Sequence, residues 1–188
     1  MRRPMAKRRK DLTRGDWLLA GQAVLREEGL RALKLRPLAA SLGISTGSFY
    51  HHFADFEDYL GQLADYFSGE QLTSNLERVR AEAPTPIRRI LLASDLAVSQ
   101  DLPRLAMAMR AWARSDDRAR ASVKAVDDTL TAFFADCLEG MGHPPQMALA
   151  RAYLLVASAT ADMEPPAGLP RGLDLRDLML EVIAGVED

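Results

Sequence analysis

A single cysteine, Cys137, is the only thiol in this 188-residue sequence. It leaves no partner for an internal disulfide and suits a chain kept in a reducing cytoplasm. Long hydrophobic runs are missing too. The most apolar stretch, Ala152 to Ala161, follows Arg151 and ends at Asp162, well short of the roughly 20 apolar residues a membrane span needs. The basic N-terminus leads into no apolar segment, which argues against a secretory signal. A soluble, cytoplasmic protein with no membrane partner is expected.

Chemistry-bearing motifs are equally scarce. No P-loop, dinucleotide fingerprint, nucleophile elbow or zincin pattern is present. Histidine occurs three times, as His51, His52 and His143. Adjacent histidines on a helix point about 100° apart, and no further His, Cys or acid is spaced to close a metal site. Cys137 and His143 lie across a helix end without an orienting partner. The acids Asp116-Asp117 and Asp127-Asp128 read as a helix start and a solvated face. Neither a metal, nor a cofactor, nor an enzymatic activity is expected. Alternating strand-type runs are absent as well, which points to an all-α fold.

What the sequence has is an uneven charge. Residues 1–54 hold eleven Lys and Arg against four Asp and Glu, whereas residues 55–188 hold thirteen against twenty-two. One end is built to approach a polyanion and the other is not. The first twelve residues, MRRPMAKRRKDL, form a basic arm with no periodic apolar face.

Helical periodicity begins at Arg14. A first helix is predicted to Glu28, with Thr13 and Asp16 spaced as a capping box, an apolar face of Trp17, Leu18, Gly21, Val24 and Leu25, and Gly29 as its stop. A short helix from Arg36 to Leu42 follows, with Pro37 in its first turn. Gly43-Ile44-Ser45 makes a turn in which Gly43 takes positive φ, Ile44 enters the core and Ser45 caps the next helix. That helix, Thr46 to His52, is about two turns long. Longer amphipathic helices are then expected at about 55–81, 86–99, 103–114, 117–140, 145–162 and 174–185, separated by Pro- and Gly-containing breaks. The whole reads as about nine helices: an arm (1–12), a three-helix head (13–54), and a connecting helix with a helical bundle (55–188).

The informative stretch runs from Leu35 to Phe53. On a helical wheel Phe49 and Phe53 point inward with Leu38, Leu42 and Ile44. Gly47 and His51 fall opposite, flanked by Ser48 and Tyr50. The outward face is small at its start and hydrogen-bonding throughout. Small residues let backbone approach base edges in a major groove, and hydroxyls and imidazoles reach bases or phosphates. A recognition helix requires this, although a compact helical hairpin could share the pattern.

The run LAASLGIS-TGSFYHHF resembles the helix-turn-helix of the TetR/AcrR (tetracycline-repressor) family, with its Leu-Ala-x-x-x-Gly-[Val/Ile]-Ser and Tyr-x-[His/Tyr]-Phe signature. The likeness covers about residues 13–60. It implies phosphate contacts from Tyr50 and His51, a base or phosphate contact from Arg36, and Thr46, Gly47 and Ser48 nearest the base edges, with Ser45 and His52 flanking them. Histidine beside a phosphate gains from protonation, so binding would weaken as pH rises past about 7. One departure stands out. The family commonly carries Lys where this chain has Phe56, followed here by Glu57 and Asp58. Lys7, Arg8, Arg9 and Lys10 of the arm are candidates to compensate by reaching backbone or minor groove.

The segment Ala108 to Asp117 also resembles the family. The resemblance implies an effector pocket inside the bundle and pairing of the last two helices with a second copy. Pocket candidates are Phe67, Met107, Arg110, Trp112, Phe133 and Phe134. Arg110 could pair an anionic effector or hold Asp127 or Asp128 in an internal ion pair. Leu149, Ala152, Tyr153, Val156 and Ala159 are candidates for the dimer face, though such a face can also be core. Cys137 reads as an inert core residue. The expected function is a ligand-responsive transcriptional regulator, a repressor by family default. It would bind a double-stranded, two-fold-symmetric DNA operator as a homodimer and respond to a small-molecule effector. The alternatives are a helical protein-interaction module that has lost specific DNA binding, and a small all-helical enzyme.

Overall fold

The computed structural model describes residues 12–161 and 175–184. Lys7, Arg8, Arg9 and Lys10, and the break expected at 164–168, lie outside the described residues. Those residues contain α-helices and short 3₁₀ segments and no strand. Two compact units divide at Leu63 and Ala64, inside α3.

The first unit opens with α1 (Arg14–Glu28). Its capping box is present: the Asp16 N–H donates to Thr13 Oγ1 at 3.2 Å, and the Thr13 N–H donates to Asp16 Oδ2 at 2.8 Å. Such a cap stabilises a helix start by about 1 kcal/mol. Trp17, Leu18, Gly21, Gln22 and Leu25 form the buried face. Gly29, at φ 77°, ends the helix. A 3₁₀ turn, Leu30–Ala32, leads to α2 (Leu35–Ser41), and Gly43 at φ 68° turns the chain into a 3₁₀ helix, Thr46–His51. The first turns of α3 (Phe56–Ser68) complete the head, because Tyr59 and Leu63 are fully buried in it.

In the second unit, the single helix expected over 55–81 is two helices, α3 and α4 (Glu70–Glu82). Gly69 separates them, with ψ −98°, and a Cβ there would lie 2.9 Å from the Asp65 carbonyl oxygen. The remaining helices are α5 (Pro86–Ser99), α6 (Leu102–Ala113), α7 (Asp117–Gly140), α8 (Pro145–Ala159) and α9 (Leu175–Ala184). Nine α-helices among the described residues match the expected number, although the third head helix is 3₁₀ and the connecting helix is split.

Pro86, Pro103 and Pro145 sit in first turns, where a missing N–H costs least. Helix α7 is the spine, packed against α5, α6 and α8. Asp116 caps it, accepting from the Arg118 and Ala119 N–H groups at 2.9 and 3.3 Å. A Ser122 hydroxyl donates to the Ala64 carbonyl. Phe133, Cys137 and Leu138 of α7 pack with Val79, Ile90, Ala148, Ala152 and Leu155. Burial raises the Cys137 thiol pKa, in keeping with a core residue. The last carbonyls of α9 receive side chains: Arg151 donates to Ile183 O at 2.7 Å, and His143 Nε2 lies 2.8 Å from Ala184 O.

Candidate nucleic-acid interface and ligand cavity

The head is organised around Phe49. Its ring meets Trp17 edge-on at 5.3 Å, Phe53 at 4.9 Å and Tyr59 at 5.5 Å between centroids. The edge-to-face pairs with Trp17 and Tyr59 add about 0.5–1.5 kcal/mol each beyond the area they bury. Tyr59 donates its hydroxyl proton to Trp17 O at 3.0 Å, and burial pushes its pKa well above the usual tyrosine value. Phe56, which stands where the family commonly has Lys, adds its ring to this cluster, 5.5 Å from Tyr59 and 6.3 Å from Phe49.

The segment expected as an α-helical recognition element is instead a 3₁₀ helix. The Ser48 N–H donates to Ser45 O at 3.2 Å, and the His52 N–H to Phe49 O at 2.9 Å. Tight turns of this kind are common in runs too short for α-helix propagation. With three residues per turn, side chains repeat at every third position rather than on a 3.6-residue wheel. Thr46, Phe49 and His52 therefore share the inner row, with Phe49 buried and the other two half-buried. Gly47 and Tyr50 form an exposed row, and Tyr50 is 59% exposed. Ser48, half-buried, and His51, exposed, form the third row. The pairing of Gly47 with His51 on one face is corrected accordingly.

Two further expectations change. Ser45 occupies the N-cap position and its carbonyl accepts the first 3₁₀ hydrogen bond, but its side chain makes no capping bond. Ile44 is half-buried rather than a core plug. Arg36 is exposed in the first turn of α2. The start of α3 is anionic and ordered. Asp58 accepts from the Ala54 N–H at 2.8 Å and from Gln62 Nε2 at 2.9 Å, and its own N–H donates to Asp55 Oδ1 at 2.8 Å. The Gln62 bond, then the Ala54 bond, holds the Asp58 carboxyl below the usual range.

Within the body lies a cavity of about 840 Å³, walled by residues of α3 to α9, a volume suited to a sizeable organic ligand. Of the six pocket candidates, Phe67, Arg110 and Phe134 line it. Met107, Trp112 and Phe133 do not. Trp112 is only 2% exposed in the core, and Phe133, also buried, has the Arg80 guanidinium 5.2 Å from its ring centroid. The sequence reading missed Leu72 and Asn75 of α4, whose helical spacing could have marked them, and Leu180 and Ile183 of α9. Arg110 holds Asp127 in a two-bond fork, 2.9 and 2.6 Å, which favours the ion-pair alternative.

The residues assigned to a dimer face separate. Leu149 and Tyr153 are 55% and 66% exposed, joined by Met147 and Leu154, and by Leu178 and Val182 on α9. Ala152 and Val156 are buried inside the chain and so fall away from any such face, and Val156 and Ala159 line the cavity. No helix among the described residues is long and apolar enough to cross a membrane.

Comparison with known proteins follows the same division. Residues 18–58 match the model of bacterial regulatory proteins of the tetR family. A 50-residue stretch is 44% identical to the HTH-type transcriptional repressor KstR2 of Mycobacterium tuberculosis, covering 27% of this chain and 25% of the repressor. That match therefore spans a quarter of its relative. Over longer reaches the likeness is one of fold. The ketosteroid transcriptional regulator KstR2 of Mycobacterium tuberculosis superposes with a TM-score of 0.54 and 22% identity over 92% of this chain and 93% of its own. A transcriptional regulator from Rhodococcus sp. Rha1 gives 0.68 and 21% over 93% and 95%. A TetR regulator from Legionella pneumophila gives 0.68 and 14% over 84% and 86%. The head is thus similar in sequence to regulators of the tetR family, and the chain shares the fold of these solved regulators.

Proposed function

We propose that this protein represses transcription by binding a two-fold-symmetric DNA operator as a homodimer, and that it leaves the operator when a small molecule fills the body. The observation that carries this reading is the pair of outward rows, Gly47 with Tyr50 and Ser48 with His51, standing on a buried aromatic core within the segment matched by the tetR-family model. Gly47 lets backbone approach base edges, while Tyr50, His51 and Arg36 reach phosphates or bases. Thr46, Ser45 and His52 border them, and Arg8, Arg9 and Lys10 supply further charge along the duplex.

A second copy is supported by the exposed apolar side chains of α8 and α9, of a kind that marks association surfaces. Two heads would then address half-sites about 34–36 Å apart or somewhat more. The cavity supports a ligand response, since a ligand that prefers one conformation shifts the population toward it. Ketosteroids, which describe one structural relative, are reasonable first ligands to try.

The test is a gel shift of the purified protein on the intergenic DNA upstream of its own gene, at several salt concentrations. A discrete complex of dimer stoichiometry that weakens steeply with salt supports the reading. Absence even of non-specific binding at low salt sinks it.

A further inference from the structure

The lining of the body cavity contains two charged side chains among the described residues, Arg110 of α6 and Asp127 of α7. They are bound to one another. Arg110 Nη1 donates to Asp127 Oδ2 at 2.9 Å and Nη2 to Oδ1 at 2.6 Å, so each carboxylate oxygen takes one guanidinium N–H. A fork of this geometry neutralises both groups and fixes their planes. The third donor of the same guanidinium, Nε–H, is buried and has no partner among the described residues. Being buried, it is closed to a molecule in the cavity, which meets the guanidinium only as part of the fork. Elsewhere the wall is mostly aliphatic and aromatic, and several of its polar groups are already engaged. Asn75 exchanges amide hydrogen bonds with Gln100 at 3.2 and 3.3 Å. The hydroxyls of Ser158 and Thr160 donate to carbonyls of their own helix.

Resting on the effector reading above, we propose that the cavity takes an uncharged, mainly apolar molecule, and that the Arg110–Asp127 pair excludes carboxylates. A ligand carboxylate approaching Arg110 would meet Asp127 on the same guanidinium, a like charge in an apolar cavity. An uncharged molecule brings no such charge and leaves the fork intact. The positive charge of Arg110 is thus an unreliable sign of an anionic ligand, because its counter-charge is supplied by the wall.

Two probes of equal chain length separate the cases. Nile red bound to the purified full-length protein is displaced at pH 8 by 2-dodecanone or by dodecanoate, each kept below its aggregation threshold. The expected result is that the ketone displaces the dye at a concentration at least about tenfold lower than the carboxylate. In Asp127→Asn, checked for native helicity by circular dichroism, the unpaired guanidinium should close or reverse that gap. Equal displacement by the two probes in the unmodified protein overturns the proposal while leaving a ligand cavity in place. Displacement by neither overturns both the proposal and the ligand-response reading. Operator binding is followed in parallel. A ketone that displaces the dye without releasing DNA counts against the response reading alone.

Discussion

Tyr59 places its hydroxyl 3.0 Å from the carbonyl oxygen of Trp17, in room that exists because residue 21 has no side chain. A Cβ built on Gly21 would fall 1.9 Å from that hydroxyl oxygen. This near-contact joins α1 to the helix that leaves the head, and it binds Tyr59 into the aromatic cluster beneath the exposed rows.

Replacing Gly21 by alanine should therefore destabilise the head by about 2–4 kcal/mol, from overpacking together with loss of a buried hydrogen bond. Tyr59→Phe removes the atom in conflict, so the double variant should be less damaged than the sum of the two single ones. Urea unfolding of the four proteins in a double-mutant cycle measures this. Simple additivity would show that Gly21 and Tyr59 are not coupled.

Asp116 carries a pH signature. Its hydrogen bond from Arg118, aided by the backbone N–H groups it caps, lowers its pKa to about 2. A carboxyl depressed in the folded state stabilises fully above its unfolded value of about 3.9, and that contribution is lost as pH falls through about 2. Asp116→Ala should cost about 1 kcal/mol at pH 6 and much less at pH 2. Asp116→Asn should keep the capping contribution and remove the acid dependence. Urea midpoints at the two pH values give the comparison.

Tyr50 is a probe of the interface that does not disturb the core, since its ring is exposed and meets Phe49 only edge-on at 5.4 Å. Tyr50→Ala should reduce operator affinity about tenfold or more with little change in melting temperature. Tyr50→Phe should lose less if the ring packs on the DNA backbone, and as much if the hydroxyl alone makes the contact. Fluorescence anisotropy on labelled operator distinguishes the two.

Tyr153→Asp puts a charge on the exposed side of α8, 66% open to solvent, and should shift sedimentation from dimer to monomer without loss of helicity. Since two half-sites would then be read separately, operator affinity should fall with it. A variant that stays dimeric would place the contact between copies elsewhere.

Helix boundaries governed by local chemistry were legible in the sequence. The Thr13–Asp16 box, the prolines of α5, α6 and α8, and Gly29 and Gly43 act through their own backbone and need no tertiary information. Two features were not legible. The break at Gly69 falls within unbroken amphipathic periodicity, where one glycine is a weak signal. The 3₁₀ winding of Thr46–His51 surrounds a Phe49 held by Trp17 and Tyr59, residues remote in sequence. Exposure survived that change at Gly47, Tyr50 and His51, whereas Thr46 and His52 fall on the inner row and are half-buried.

The cavity was only half visible for a related reason. Aromatic and methionine residues at helical spacing are chosen by core and cavity alike. Phe133 and Phe134 are neighbours in sequence, yet the first packs with Arg80 and the second faces the void. Arg110 and Asp127 were visible as candidates, but their union depends on how α6 meets α7.

Helix α9 serves two surfaces within ten residues. Leu180 and Ile183 close the cavity, Leu178 and Val182 stand outward, and its last carbonyls are held by Arg151 and His143. A genetic screen would find the effect of this economy before a biophysicist did. Lesions on α9 should be pleiotropic, with inducer-blind and assembly-defective phenotypes mapping to the same few codons, whereas lesions on the cavity side of α4 should give the first phenotype alone.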